Sequence, residues 1–259
     1  VHAPPKAQEN LGLDGGLARQ FVRVRNLQGW YGESHVLHGV NFDVNRGEVI
    51  TLLGRNGAGK TTILRIACGY LWPNGGGAVH RLGKPLLDLR ELRKSIGWVT
   101  STLAPEVPAR EKVVRTVVSG RFAQVGLLEG FGANPSARDY EQAERYLAQL
   151  GCSDLSGQEF GTLSQGEQQK VLIARARMTK PYMIFLDEPC GGMDPGAREN
   201  FLASLQRLKQ ERKVPSLVYV THHIEEILPF FGRTLLLKEG RVLRAGNTRV
   251  LLRQNVLEQ

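Results

Sequence analysis

The sequence predicts an α/β protein with a parallel sheet, and three observations favour that class. Short apolar segments rich in β-branched residues recur between Gly and Asn breaks, as is typical of strands. Other segments space their apolar residues by three and four positions, as helices do. In the second half of the chain the two kinds of segment alternate. Alternation of strand and helix implies a parallel sheet, because each helix returns the chain to the edge where the previous strand began.

The beginning of the chain predicts a β-rich unit. Residues 1–18 are rich in Pro, Ala and Gly without periodicity, so we expect a flexible leader there and assign it no function. From Phe21 onward, strands are predicted by the segments FVRVRNL, VNFDVN and GEVITLLG. The segment GGGAVHRLG continues this β-rich opening.

The middle of the chain, about residues 103–180, predicts a helical insertion. Helical spacing is present in VVRTVVSGRF and in YEQAERYLAQLG, with Gly151 as a stop. Strands return with YMIFLDEP and SLVYVTHH, and the helix FLASLQRLKQ separates them. A hairpin is predicted in RTLLLKEGRVLRAG, with its turn at Glu239 and Gly240, and residues 251–259 are left as a tail.

Composition limits the classes of protein and the compartment. The longest apolar runs, such as YMIFL, fall far short of the roughly 18 residues that suggest a bilayer-spanning helix. The first residues show neither a basic opening nor an apolar stretch, so no secretory signal is predicted. Three cysteines without CxxC spacing suggest neither a disulfide framework nor a zinc site. We therefore expect a cytoplasmic protein.

The charge balance leaves several partners open. The net charge of +9 is compatible with a nucleotide, an anionic lipid or a nucleic acid as partner, and equally with a solvated basic surface. No long run of Lys and Arg appears, and no basic stretch is interleaved with aromatic residues. Nucleic acid is therefore not favoured as a partner.

The segment GRNGAGKTT fits the GxxxxGK[ST] phosphate-loop pattern. It follows an apolar strand and precedes a helical stretch, which is the context that the pattern requires. Glycines let backbone N–H groups wrap phosphates, whereas the alternative is a plain glycine turn before a helix. We expect Lys60 to reach the β and γ phosphates and Thr61 to ligate Mg²⁺. The residues predicted to contact the nucleotide here are Gly54, Asn56, Gly57, Gly59, Lys60, Thr61 and Thr62.

Two carboxylates follow the predicted strand at 183–186. Asp187 ends the strand and is suited to hold Mg²⁺ through water, and Glu188 is placed to polarise an attacking water. The alternative is a helix N-cap with an acid in the first turn, before Pro189. Together with the phosphate loop, the pair predicts a site for nucleotide hydrolysis.

The segment LSQGEQQ, Leu163–Gln169, resembles the LSGGQ signature of ABC (ATP-binding cassette) ATPases. Ser164 and Glu167 fit an S-x-x-E capping box that opens a helix. The resemblance implies that Ser164 and the Gly166 backbone contact the γ-phosphate of ATP bound to the opposite subunit. Gln165 and Glu167 depart from the family's Gly and Gln at their positions.

Single positions match the same family. Tyr31 resembles the aromatic residue that stacks on adenine, although a core strand aromatic is the alternative. Asp194 resembles the aspartate that communicates across the dimer. His222 resembles the histidine that holds the γ-phosphate, and it is favoured over His223 because it directly follows the strand's Thr; an exposed or structurally bonded histidine is the alternative. Ser101 departs from the family, which usually places a glutamine there.

The resemblance covers about residues 19–250 and is closest to ATPases of molybdate or iron-complex import. It implies a P-loop NTPase (RecA-like) α/β core, an N-terminal antiparallel β subdomain and a helical signature subdomain. It also implies ATP and Mg²⁺ as cofactors, a head-to-tail homodimer, and hydrolysis in which Lys60, Glu188 and His222 take part.

Transmembrane permease subunits are the partners that the resemblance implies, with the chain on the inner face of the membrane. A soluble ABC ATPase acting on a ribosome, a nucleic acid or a regulatory partner stays open because of Ser101 and the net charge. A nucleotide switch without hydrolysis is a third possibility, and the intact site residues argue against it.

Overall fold

The computed structural model describes residues 20–253 except 85–87, 89–91, 93–94, 131 and 211–214, and for Tyr31 and Arg253 it describes the backbone alone. The predicted leader and residues 254–259 lie outside the described residues. The strands are β1 (Gln20–Tyr31), β2 (Ser34–Asn45), β3 (Val49–Gly54), β4 (Ala78–Arg81), β5 (Ile96–Thr100), β6 (Met183–Asp187), β7 (Ser216–Thr221), β8 (Arg233–Lys238) and β9 (Arg241–Asn247). The α-helices are α1 (Lys60–Ala67), α2 (Val113–Ser119), α3 (Ala137–Gln149), α4 (Gln165–Arg177), α5 (Pro195–Lys209) and α6 (Thr248–Arg253).

The larger sheet has the strand order β5-β6-β7-β3-β8-β9. Its first five strands are parallel, and β9 joins the edge as the antiparallel partner of β8. Strands β3 and β7 are buried along their whole length, as expected for parallel strands covered on both faces. The predicted α/β class with a parallel sheet is confirmed.

A second sheet, in the order β2-β1-β4, is antiparallel throughout. Its buried side chains pack with α1 against one face of the larger sheet, where Ile50, Phe185 and Val218 point. Arg81 at the end of β4 reaches the C-terminal end of α1: its Nε donates to the Ala67 carbonyl at 2.7 Å, and its guanidinium also donates to the Ile66 carbonyl. Strands β1, β2 and β4 of the predicted β-rich opening therefore form a separate layer over α1, whereas β3, which was predicted with them, lies in the larger sheet.

The helical segment covers the other face of the larger sheet. Helices α2, α3 and α4 pack with α5 on side chains of the opposite strand face, including Ile184, Leu186 and Leu217. The three helices and their 3₁₀ turns fall within the predicted helical range of 103–180. Alternate residues of the central strands thus contribute to two different cores, which explains why those strands are uniformly apolar.

Two boundaries differ from the sequence prediction. The predicted helix VVRTVVSGRF ends as an α-helix at Ser119 and continues as a 3₁₀ turn, Gly120–Phe122. Here a Cβ on Gly120 would lie 2.2 Å from the Arg175 carbonyl oxygen, so the chain crosses α4 at a glycine. The predicted tail from residue 251 begins inside α6, which is attached to β8 because the hydroxyls of Thr234 and Thr248 lie 2.9 Å apart.

The hairpin at the end of the chain turns where it was predicted. Glu239 and Gly240 have φ values of 49° and 70°, as a two-residue turn between strands requires. A Cβ on Gly240 would lie 2.2 Å from the Val36 carbonyl oxygen, so the turn sits directly on β2.

No helix among the described residues is long and apolar enough to cross a membrane. The three cysteines are buried and free.

Candidate nucleotide-binding site

The phosphate loop, residues 54–62, connects β3 to α1. Gly59 precedes α1 with a φ of 94°, and Gly57 has a φ of 80°, conformations that residues with a Cβ rarely adopt. A Cβ on Gly54 would lie 2.6 Å from the Leu237 carbonyl oxygen, so this glycine lets the loop pack against β8. The sequence pattern therefore produces an open loop at the N-terminus of a helix, where N–H groups favour an anion.

A cavity of about 620 Å³ borders the loop. Arg55, Asn56 and Gly57 contribute its exposed wall, with His222 on another side and the β8–β9 turn beneath. Thr62 is half-buried in the first turn of α1. Of the predicted phosphate-contacting residues, Asn56 and Gly57 line this cavity, and the contacts of the whole set with a nucleotide stay predictions.

Lys60 is 5% exposed and lies under the loop. Its Nζ donates to the Gly54 carbonyl at 2.8 Å and to the Arg55 carbonyl at 3.2 Å. The same Nζ lies 3.5 Å from Glu188 Oε1. The lysine therefore links the loop to the end of β6.

Thr61 and Asp187 lie side by side. The Thr61 Oγ1 donates to Asp187 Oδ2 at 3.4 Å, across 126 positions of sequence. Burial raises the pKa of the Asp187 carboxyl, and the neighbouring Glu188 charge raises it further. Mg²⁺ prefers oxygen ligands and commonly combines one carboxylate with substrate phosphates and water. A hydroxyl and a partly buried carboxylate at this spacing fit that ion.

Glu188 has a φ of 49°, in the left-handed region that non-glycine residues rarely occupy. Such backbone conformations are stable only where the surroundings fix them, and they are frequent at active sites. The Glu188 N–H donates to the Val220 carbonyl at 3.0 Å, and its Oε1 lies 3.2 Å from His222 Nδ1. No helix begins at Asp187 or Glu188, so the helix-cap alternative for this pair is excluded.

His222 and His223 face different partners. His222 contacts Glu188, whereas His223 Nδ1 lies 3.3 Å from the exposed Glu225. Only the first histidine of the pair borders the cavity of the phosphate loop. Its position agrees with the choice of His222 on sequence grounds, while its role stays a prediction.

The predicted signature segment opens α4 with the expected capping box. Ser164 accepts from the Glu167 N–H, and Glu167 Oε2 accepts from the Ser164 N–H at 2.8 Å. Glu167, a departure from the family pattern, therefore serves the helix cap. Gly166 is buried near Met193 and Ala197. Within the described part of the chain, no hydrogen bond or ion pair joins Ser164 or Gly166 to the phosphate loop.

Asp194 caps α5, accepting from the Ala197 N–H at 2.9 Å. Ser101 is exposed beyond β5 and lines a cavity of about 350 Å³ together with Gln165, Gln168 and Gln169 of α4. The side chain of Tyr31 is outside the described residues, so its proposed stacking on adenine stays a prediction.

Sequence reasoning missed one buried carboxylate beside the site. Glu226 is 3% exposed and lies in the 3₁₀ turn that follows His223. The signal available in the sequence was a second acidic residue in THHIEEI, directly before the apolar Ile227 and Leu228.

Comparisons with known proteins agree on one family. The model of the family described as ABC transporter matches residues 37–191. An uncharacterised ABC transporter ATP-binding protein of Bacillus subtilis, YlmA, is 38% identical over 225 residues, which cover 86% of this chain and 83% of the relative. The molybdate import ATP-binding protein MolC of Haemophilus influenzae is 31% identical over 232 residues, covering 89% and 84%.

A solved structure has the same fold. CbiO1 of Clostridium perfringens, described as part of the ABC transporter complex CbiONQ, superposes with a TM-score of 0.79 at 27% identity. The superposition covers 93% of this chain and 94% of that one. The predicted P-loop core with an antiparallel β unit and a helical unit is confirmed.

Proposed function

We propose, from the premise that this chain belongs to the ABC transporter family, that it drives a membrane transporter as one half of a head-to-tail homodimer. The members of this family that it matches are ATP-binding subunits, and the chain is accordingly an ATP hydrolase. The proposal concerns how its residues perform hydrolysis and what the subunit assembles with.

The proposed reaction is attack of water on the γ-phosphate of ATP, which yields ADP and phosphate. Glu188 accepts a proton from the water, and His222 orients that water and the γ-phosphate. Lys60 leaves its carbonyl partners to neutralise charge on the β and γ phosphates, while the loop N–H groups hold the remaining oxygens. Thr61 and Asp187 would hold Mg²⁺, which neutralises phosphate charge when bound.

The observation that carries this proposal is one chain of contacts from Lys60 through Glu188 to His222. Its links measure 3.5 Å and 3.2 Å and join three segments far apart in sequence. A lysine, a carboxylate and a histidine converge beside a phosphate-binding loop, and this convergence provides the charges that phosphoryl transfer to water needs.

The proposed dimer follows from the separate location of the signature segment. Ser164 is exposed at the start of α4, and its hydrogen bonds are local. In the proposed arrangement Ser164 and Gly166 of one subunit face the γ-phosphate held by the phosphate loop of the other. Each dimer then contains two sites, and every site uses both chains.

An exposed aromatic groove supports a membrane partner. We define it by Tyr70, Leu71, Trp98 and Leu103, which lie beyond the ends of α1 and β5, and the exposed Trp72 follows Leu71 in the sequence. Trp72 is 63% exposed and Tyr70 is 46% exposed, and the groove has a volume of about 440 Å³. Apolar surface of this kind marks interaction sites. We propose that a permease subunit binds here and places the chain on the inner face of the membrane.

Copurification from detergent-solubilised membranes tests the transporter assignment. We expect an integral membrane protein to copurify with the chain, and Trp72→Asp to abolish this while magnesium-dependent phosphate release by the isolated chain persists. The matched control is Leu243→Asp, at an apolar side chain of the edge strand β9 that is 50% exposed. Copurification of ribosomes or of a soluble protein instead would favour the soluble alternative.

A further inference from the structure

A buried hydrogen-bonded network lies behind the residues proposed to act on water. Its members are Cys190, Tyr219, Thr221 and Glu226, all at most 5% exposed. The Tyr219 hydroxyl donates to Glu226 Oε2 at 2.8 Å, and the Thr221 hydroxyl donates to the same oxygen at 2.6 Å. The Cys190 Sγ lies 3.3 Å from the Tyr219 hydroxyl.

The network has a defined direction. Each hydroxyl donates its hydrogen to Glu226, so the oxygen of that hydroxyl can only accept a further hydrogen bond. Thr221 Oγ1 accepts from the His223 N–H at 2.9 Å, and the Tyr219 oxygen accepts from the Cys190 thiol. Burial raises the pKa of the Tyr219 phenol well above its usual value and that of the Cys190 thiol to about 12. Both groups therefore remain proton donors.

The network connects two backbone segments of the site. Its Thr221 branch holds the backbone on either side of His222, since Thr221 precedes that residue and the His223 N–H follows it. Its Cys190 branch reaches two residues beyond Glu188, and the Gly191 N–H donates back to the Glu188 carbonyl at 3.1 Å. The ends of both branches thus lie next to the pair His222 and Glu188, which meet at 3.2 Å.

A buried carboxylate destabilises the folded protein unless hydrogen bonds compensate for its lost solvation. Burying it costs solvation, and an apolar side chain of similar size usually packs at least as stably. Here two hydroxyls of β7 converge on one oxygen, a geometry that fixes β7 against the turn that holds Glu226, and the Tyr219 hydroxyl extends the contact to Cys190.

We propose that Glu226 is a positioning residue for hydrolysis: through Thr221 and Tyr219 it fixes the distance and angle between His222 and Glu188. The inference rests on the roles proposed above for those two residues. In this role Glu226 does not need to contact the nucleotide. It therefore affects turnover through His222 and leaves ATP affinity unaffected.

The test measures kcat, the KM for ATP and ATP binding for purified full-length variants. We expect Glu226→Leu to lower kcat by on the order of 10²-fold with KM unchanged, because misplacing a catalytic group costs rate without weakening binding. Glu226→Gln should keep kcat near that of the unchanged protein, since a glutamine carbonyl at the Oε2 position accepts the same two hydrogen bonds. The matched control is Glu225→Leu in the same turn, whose side chain is 53% exposed, and it should leave kcat unchanged.

A double-mutant cycle with His222→Ala separates positioning from general stability. If Glu226 acts through His222, adding Glu226→Leu to His222→Ala lowers kcat no further. Independent, multiplicative losses would overturn the proposal, and so would equal losses in Glu226→Gln and Glu226→Leu. If Glu226→Leu does not fold, Thr221→Val removes the two hydrogen bonds of the Thr221 hydroxyl, to Glu226 and from the His223 N–H, and takes its place in the same cycle.

The kcat of His222→Ala distinguishes failure of the proposed catalytic site from failure of the positioning role of Glu226. A normal kcat in His222→Ala alone would contradict the role of His222 and with it the proposed function of the site. A collapsed kcat in His222→Ala beside a normal kcat in Glu226→Leu would overturn the positioning role and leave the site assignment intact.

Discussion

The phosphate-loop region and the signature region differ in how far the chain completes them. The first gathers side chains from three distant segments, and Lys60 connects to Glu188 and His222 through contacts of 3.5 Å and 3.2 Å. The second satisfies its own helix end and no more: Ser164 and Glu167 bond to each other. The phosphate-loop region thus brings proposed catalytic side chains together, whereas the signature region contains only its own helix cap. This difference is what the proposed site, shared between two copies of the chain, requires.

The largest expected effect comes from the phosphate-loop side. Replacing Lys60 with Ala removes the mobile cation from the β and γ phosphates while the backbone N–H groups stay, so phosphate release should fall to background. Magnesium-dependent phosphate release by the purified variant measures this. The control is Lys112→Ala, an exposed lysine directly before α2 and outside the cavity of the phosphate loop. Near-normal hydrolysis in Lys60→Ala would contradict the assignment of the loop.

The second effect connects the two regions. Glu188→Gln should slow hydrolysis by roughly 10² to 10⁴ fold because it removes the general base, while the phosphate loop and the signature segment stay intact. ATP then persists between two subunits and shifts the chain to a dimer, since a ligand that binds only the closed form stabilises that form. Light scattering with ATP and with ADP measures the shift, which ADP should not produce. The control is Glu199→Gln, an exposed carboxylate on α5.

The signature side is tested within the same variant. Adding Gly166→Asp to Glu188→Gln should return the protein to a monomer, because a negative charge at the start of α4 would repel the γ-phosphate proposed to bind there. A dimer that forms equally well in the double variant, or a Glu188→Gln protein that stays monomeric with ATP at all concentrations, would show that the sites are not shared.

A smaller effect is expected where the base of the nucleotide is bound. Tyr31→Ala should raise the dissociation constant of ATP by about tenfold, the loss of one stacking contact, with turnover at saturation unchanged. Stacking acts equally on ground and transition states, so kcat is insensitive to it. Equilibrium binding of a fluorescent ATP analogue, with Trp30→Ala as the neighbouring control, measures the change. An unchanged affinity for the ATP analogue would contradict the stacking role and favour the alternative, that Tyr31 is an aromatic residue of the strand core.

The smallest effect is expected at Ser101. Restoring the family's glutamine by Ser101→Gln should not raise ATPase activity, because the cavity beside it is already lined by three glutamines of α4. Phosphate release with and without the copurifying membrane partner measures this, and Thr102→Gln serves as the adjacent control. Strong activation of Ser101→Gln by the partner would identify the serine as a weakened sensor.

Features determined by neighbouring residues were predicted well from the sequence. The glycines of the phosphate loop, the Ser164–Glu167 box and the turn at Glu239 and Gly240 depend on local conformation, and the structure has all three. Two features determined by contacts between distant segments were not predicted. The end of α2 depends on how closely Gly120 approaches α4, and the burial of Glu226 depends on side chains of β7.

The hydrogen bonds from Arg81 to the end of α1 connect the antiparallel sheet to the helix that carries Lys60. Helix α1 has eight residues, about 12 Å of rod at 1.5 Å per residue, with the phosphate loop at one end and Arg81 at the other. Because the Arg81 guanidinium bonds to the Ala67 and Ile66 carbonyls at the end of α1, we expect the antiparallel sheet to shift together with α1 when the phosphate loop binds or releases an anion.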